Sequence, residues 1–180
     1  YANRVGSHSW KSCAEQGGGV LNSFVSHTFY YLEWFAGRIK RLSASLSCAP
    51  TDSRTGDTFA VLCLELESGV PVSFSISNHV FLGSGHRVEF YGDEGALVLE
   101  NTTSDYAVGW RLLHGTRTTN RLQVVYQDDQ LSVNGPDGRV AMVACLVKRF
   151  VDWIATGVPS SPSFRDGLRV QGLLESARQS

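Results

Sequence analysis

The sequence is short of charge. Asp, Glu, Lys and Arg make up 18% of 180 residues, against about 25% in an ordinary globular chain. Sixteen basic and 17 acidic residues leave a net charge of −1. No positive surplus exists to neutralise phosphates, which argues against nucleic acid and anionic membrane surfaces as partners. No apolar run approaches the roughly 18 residues of a membrane-spanning helix. There is one methionine, Met142, and the chain opens on Tyr1; we expect a piece of a longer protein. No two of Cys13, Cys48, Cys63 and Cys145 form a C-x-x-C pair, so neither a zinc ribbon nor a thioredoxin motif is supported. Cys63 and Cys145 sit in apolar runs and are expected to be small buried hydrophobes. Reduced thiols in a cytoplasmic protein are the expectation. No histidine pair has metal-ligand spacing beside a carboxylate, so no metal is expected.

What is present suffices for one core: 42% of residues are hydrophobic and 11% aromatic. We expect residues 1–180 to form a single domain. Residues 1–19 are polar and end in Gly17-Gly18-Gly19. Residues 20–35 read as a helix, because Leu21, Phe24, Val25, Thr28, Leu32 and Phe35 recur at three- and four-residue steps; Gly37 stops it. From residue 39 the period becomes two. Residues 39–46 and 59–66 read as strands, the second joined through Ser68-Gly69 to an alternating strand at 70–77. Residues 87–91 and 96–100 flank a turn at 92–95. Residues 106–113 and 121–126 are candidates for two more strands. Residues 140–156 return to helical spacing. Ser163 and Asp166 then form a capping box before a last helix through Leu168, Val170, Leu173, Leu174 and Ala177. Helix, strands, then two helices indicate an α+β domain: an open, mostly antiparallel sheet with helices packed on one face.

The segment from Gly17 to His27 is the most informative. Three glycines permit close backbone approach to a ligand, and a helix start offers free amides and a positive dipole end. His27 lies one turn beyond Ser23, and Tyr30, Tyr31 and Trp34 extend roughly the same face. Such a histidine serves as acid/base or hydroxyl-binding group; the alternative is a core histidine in a helix that begins with glycines. Arg4, His8, Trp10 and Lys11 precede it, either lining a sugar-like ligand or forming an exposed basic loop. Gly83-Ser84-Gly85-His86-Arg87 opens a strand, so the dinucleotide fingerprint, which needs a strand–turn–helix, is rejected. It also lacks the nucleophile-elbow spacing. Glu65, Glu67, Glu89 and Glu100 are expected on one outer face of the sheet, solvated or facing another subunit.

These blocks resemble a known family. Gly17-Gly18-Gly19-Val20-Leu21 with Ser26-His27 is similar to the opening of the C-terminal domain of the glucose–fructose oxidoreductase / inositol dehydrogenase / MocA family. The resemblance continues through Leu32-Glu33-Trp34-Phe35-Ala36-Gly37, the segment from Gly85 to Leu97, Phe150-Val151-Asp152-Trp153-Ile154, and the segment from Pro162 to Val170. It implies a domain like the C-terminal domains of dihydrodipicolinate reductase and glyceraldehyde-3-phosphate dehydrogenase. It also implies an N-terminal Rossmann domain, absent from this chain, that binds NAD or NADP and carries the family's Glu-Lys-Pro lysine. None of that cofactor is expected to bind this chain alone.

By the same resemblance His27 is the catalytic histidine, while Trp10, Lys11, Asn22 and Ser23 are candidate substrate contacts. The implied substrate is a sugar, cyclitol or related carbinol or carbonyl. Three departures stand out. Ser23 replaces the family's aspartate four residues before the histidine, Val25 replaces the glycine two residues after that aspartate, and Tyr30 replaces an aspartate three residues after the histidine. A serine cannot polarise His27 as a carboxylate would. The alternative is therefore a non-catalytic assembly or ligand-binding module; a dihydrodiol or biliverdin-type reductase is a third reading. Val72, Phe74 and Ile76 alternate with Ser73, Ser75 and Ser77. The flat serine face suits a second sheet, so a homodimer or higher oligomer is expected.

Overall fold

Alternation builds the first sheet. In the computed structural model, which describes residues 9–49, 54–103, 107–128 and 139–180, β1 (Ile39–Ser47), β2 (Phe59–Leu66) and β3 (Pro71–Ser77) pair antiparallel in that order. The register aligns Ser43, Cys63 and Ser73 in one row and Leu42, Leu64 and Val72 in the next. Successive rows face opposite sides. Ala60, Leu62, Leu64 and Leu66 therefore all point into the core and are almost wholly buried. The helices α1 (Ser26–Ala36) and α3 (Phe164–Gln179) cover that side. Phe29 of α1 is fully buried and meets Phe74 edge to face at 6.2 Å; burying such a ring contributes about 2–3 kcal/mol. The capping box at α3 forms: the Ser163 amide donates to Asp166 Oδ2 at 2.6 Å and the Asp166 amide to Ser163 Oγ at 3.4 Å.

The other side of this sheet presents Ser43, Ser45, Ser47, Ser73 and Ser75 around Val61 and Cys63. Cys63 is exposed, not buried as its apolar run suggested, because β2 has one core face and Ala60, Leu62, Leu64 and Leu66 occupy it. Cys145 is exposed too.

The strands divide between two sheets, and the chain divides into two compact units: residues 1–81 with 161–180, and residues 82–160. In the second unit β4 (His86–Tyr91), β5 (Gly95–Asn101), β6 (Arg111–Thr116) and β7 (Gln123–Gln127) follow one another antiparallel. Gly92 and Gly95 exchange backbone hydrogen bonds around the Asp93-Glu94 turn. Gly95 must be glycine, since a Cβ there would lie 2.2 Å from the Gly115 carbonyl oxygen. Across this sheet the register brings Arg87, Glu100 and Arg111 into one row. Glu100 is buried between both guanidiniums, and Arg87 also binds Glu89 at 2.6 Å. Glu65 lies in the other unit, paired with Lys40 and Arg41. The four carboxylates thus do not belong to one sheet: Glu65 is on β2, Glu67 lies just past its end, and Glu89 and Glu100 are on β4 and β5. The helix α2 (Arg139–Thr156) closes the unit's described residues, with none of its residues buried. The expected strand at 106–113 begins at Arg111; residues 104–106 lie outside the described residues.

Candidate functional site

The glycine run turns the chain sharply into a helix. Gly17 and Gly19 have φ of 77° and 116°, a left-handed region that disfavours side chains. A Cβ on Gly18 would sit 2.5 Å from the Trp10 carbonyl oxygen, and one on Gly19 would sit 2.2 Å from Asp57 Oδ1. What approaches this backbone closely is therefore the chain itself.

The amides are taken as well. Gly18 donates to the Cys13 carbonyl at 2.8 Å, Gly19 to Lys11 at 2.9 Å and Val20 to the Asp57 carbonyl at 2.8 Å. Leu21 donates to Asp57 Oδ2 at 2.7 Å. Asp57 caps the helix start from 36 positions away. This corrects the expectation of free amides for a ligand: the internal carboxylate fills the anion position. A cleft of about 600 Å³ beside the turn is lined by Glu15, Gly17, Cys48, Asp57 and Arg178, among others.

A π-helical turn, Leu21–Val25, leads into α1, and such wide turns frequently occur at functional sites. Ser23 is half-buried, and among the described residues neither it nor His27 makes a side-chain hydrogen bond. Asn22 is engaged at both ends: Nδ2 donates to the Gly17 carbonyl at 2.6 Å, and Oδ1 accepts from Arg178 at 2.5 Å. Its amide thus ties the glycine turn to α3. Trp10 and Lys11 are exposed, with the ammonium 5.7 Å from the indole centroid, a cation–π distance. Arg4 and His8 lie outside the described residues.

His27 is exposed on α1. Tyr30 and Trp34 follow at three and seven residues, on the same face. Trp34 is 73% exposed, and its ring lies tilted against that of Phe35 with centroids 4.9 Å apart. Tyr31 does not share this face. It turns inward against the core, bonds Thr28 Oγ1 at 3.3 Å, and burial raises its pKa above the usual phenol value. Tyr30 instead reaches Ser161 Oγ at 3.2 Å, and Ser161 donates to Asp166 at 3.1 Å. That link from α1 to the start of α3 gave no sequence signal, since the residues stand 131 positions apart. Asp57 was equally silent. Elsewhere His79 contacts Arg54 at 3.1 Å, and His86 meets Trp110 edge to face with ring centroids 5.1 Å apart. Among the described residues no three His, Cys, Asp or Glu side chains converge to hold a metal ion.

A sequence model described as the GFO/IDH/MocA C-terminal domain matches residues 1–98. The chain belongs to this oxidoreductase family. It is 33% identical, over 192 residues, to the uncharacterized oxidoreductase sll0816 of Synechocystis sp.; the match covers 99% of this chain and 52% of that protein. Its fold is that of levoglucosan dehydrogenase in complex with NADH and levoglucosan, at TM-score 0.77 and 19% identity, covering 99% of this chain and 53% of that one. An oxidoreductase from Agrobacterium radiobacter, in complex with NAD+, L-tartaric acid and magnesium, superposes at TM-score 0.70 with 18% identity, covering 89% and 46%. The GFO/IDH/MocA domain described here thus spans about half the length of the relatives it matches. Within the family's pattern, the glycine turn and α1 carry the block from Gly17 to Gly37, and Glu33 and Arg169 join that block to the one from Pro162 to Val170.

Proposed function

We propose that this chain is the substrate-side domain of an NAD(P)-dependent oxidoreductase acting on a carbinol or carbonyl carbon of a sugar, cyclitol or related compound. The observation that carries the reading is His27, exposed on α1 at the family's histidine position and flanked by Tyr30 and the exposed Trp34 ring. An imidazole beside aromatic surface suits a polyol: the ring accepts its C–H face and the nitrogen its hydroxyl. His27 hydrogen-bonds the reacting hydroxyl or relays its proton.

The residues described here do not fit a dinucleotide diphosphate. The amides of Gly17, Gly18 and Gly19 are taken by the carbonyls of Ala14, Cys13 and Lys11, those of Val20 and Leu21 by Asp57, and Gly85 leads into a strand. The cofactor, which supplies hydride transfer when bound, therefore belongs to a nucleotide-binding domain of the complete polypeptide. The domain's part is to bind and orient the substrate. The serine-lined side of the first sheet serves as a self-association face, since small side chains allow two sheets to approach closely.

The test is NAD(P)-linked turnover by the full-length protein on a sugar and cyclitol panel that includes levoglucosan. His27→Ala is expected to lower kcat/KM at least a hundredfold. Calorimetry on residues 1–180 is expected to give no micromolar NAD(P) affinity. A specific observation favours a second reading: Ser23 supplies no carboxylate, and among the described residues it makes no side-chain hydrogen bond with His27. A full-length protein that binds the sugars without turnover would establish the non-catalytic module.

A further inference from the structure

The hydrogen bonds around Tyr30 have a fixed direction. Asp166 Oδ2 accepts from the Ser163 amide at 2.6 Å, from Ser163 Oγ at 2.8 Å and from Ser161 Oγ at 3.1 Å. These donors, the Ser163 amide first, hold the Asp166 carboxyl below the usual carboxylate range. It is ionised at neutral pH and can only accept. A serine hydroxyl has one proton, and that of Ser161 points to Asp166. Toward Tyr30, 3.2 Å away, Ser161 therefore offers a lone pair. The phenol proton of Tyr30 goes to Ser161, and the remaining lone pairs of its oxygen face away from that bond.

We propose that the Tyr30 hydroxyl is a hydrogen-bond acceptor for a substrate hydroxyl, oriented for that role by Ser161 and Asp166. This rests on the oxidoreductase reading above. Tyr30 stands three residues after His27 on an α-helix, so their Cβ atoms lie about 5–6 Å apart. A substrate with two neighbouring hydroxyls spans that interval, one at the His27 imidazole and one at Tyr30. The group at Tyr30 must be a donor. A free hydroxyl satisfies it; an ether oxygen, a carbonyl or a bare carbon at that position does not. A site built around such a bond rejects the analogue that lacks it more strongly than an apolar pocket rejects an extra methylene. Tyr30 thus selects a vicinal diol, with Ser161 as a positioning residue behind it.

The experiment uses the full-length protein with NAD and NADP, and levoglucosan, D-glucose and myo-inositol as probes. Tyr30→Phe is expected to raise KM about tenfold on the best probe while kcat changes less than about threefold. Ser161→Ala, which frees the phenol proton to turn outward, is expected to raise KM about threefold, and Ser161→Thr to restore it. A probe O-methylated at the hydroxyl that meets Tyr30 is expected to show the same KM with wild type and Tyr30→Phe. Wild-type KM in Tyr30→Phe overturns the inference and leaves the oxidoreductase reading standing. Absence of wild-type turnover on all three probes overturns both. Should Tyr30→Phe fail to fold, the Ser161 pair decides: equal KM values in Ser161→Ala and Ser161→Thr overturn the inference.

Discussion

Glu33 and Arg169 stand 136 positions apart and meet at 2.8 Å. The same Arg169 nitrogen also donates to the Ile39 carbonyl at 2.7 Å, while Glu33 Oε1 accepts from the Ile39 amide at 2.9 Å. Three groups thus close one knot: the end of α1, the start of β1 and the body of α3. The pair is largely withdrawn from water, with side-chain exposures of 34% and 16%. It fixes the chain's exit from α1 and hence the seat of the helix that carries His27.

Removing the arginine leaves a carboxylate and a carbonyl short of their donor. Arg169→Met is expected to lower stability by about 2 kcal/mol. Arg169→Lys keeps the charge but not the two-pronged geometry, and is expected to cost about 1 kcal/mol. Urea denaturation of the three proteins measures both values. Equal midpoints would show that the knot contributes nothing net.

The cap at the glycine turn makes a second prediction. Asp57→Ala removes the acceptor of the Leu21 amide and is expected to cost about 1–2 kcal/mol. Gly19→Ala is expected to be worse, because it combines a φ of 116° with a Cβ 2.2 Å from Asp57 Oδ1. Thermal unfolding monitored by circular dichroism should rank the proteins as wild type, Asp57→Ala, Gly19→Ala in descending stability.

Glu100 is the only carboxylate in its cross-strand row, with an arginine on each neighbouring strand. Its side chain is 7% exposed. Glu100→Ala removes the common partner of Arg87 and Arg111, and the two cations then face each other across an alanine. A loss of roughly 2 kcal/mol is expected. Replacing Glu100, Arg87 and Arg111 together by apolar residues should cost less than Glu100→Ala alone, since no two like charges are then left facing each other across the strand. Denaturant titration distinguishes the two, and the reverse order would refute the argument.

Burial beside Trp110 lowers the pKa of His86 below its ordinary 6.5. The folded state therefore takes up its proton at lower pH than the unfolded state does. Between those two values the unfolded chain binds more protons, so stability falls as pH drops from about 7 toward 5. His86→Phe keeps the aromatic contact and removes the proton. The expected outcome is a flatter dependence of unfolding free energy on pH over that window, read by chemical denaturation at pH 7.5 and 5.5.

Much of the fold was legible because each element advertises its own period. Residues 59–66 and 70–77 announced a hairpin, Ser163 and Asp166 announced a cap, and all formed. The misreadings share a cause. Residues 59–64 are apolar on both strand faces, so nothing local showed that Leu62 would be covered and Cys63 left open. The helix at 20–35 was projected with one uniform phase. Successive residues of a helix point about 100° apart, so Tyr30 and Tyr31, neighbours in sequence, part company, one toward Ser161 and the other toward Thr28. Asp57 sits in an unremarked Thr-Gly-Asp-Thr stretch, and only folding carries it to the glycine turn.

The sequence by itself determined the elements and the family: backbone periodicity and caps act within a few residues, and the glycine run and His27 keep their spacing although Ser23 departs from the pattern. The tertiary structure alone decided which amides were already satisfied, which strand face met the helices, and that Tyr30 rests on Ser161 and Asp166. Those outcomes depend on contacts between residues scores of positions apart. Their enthalpy appears only once chain entropy has been overcome by packing, and no local pattern records it.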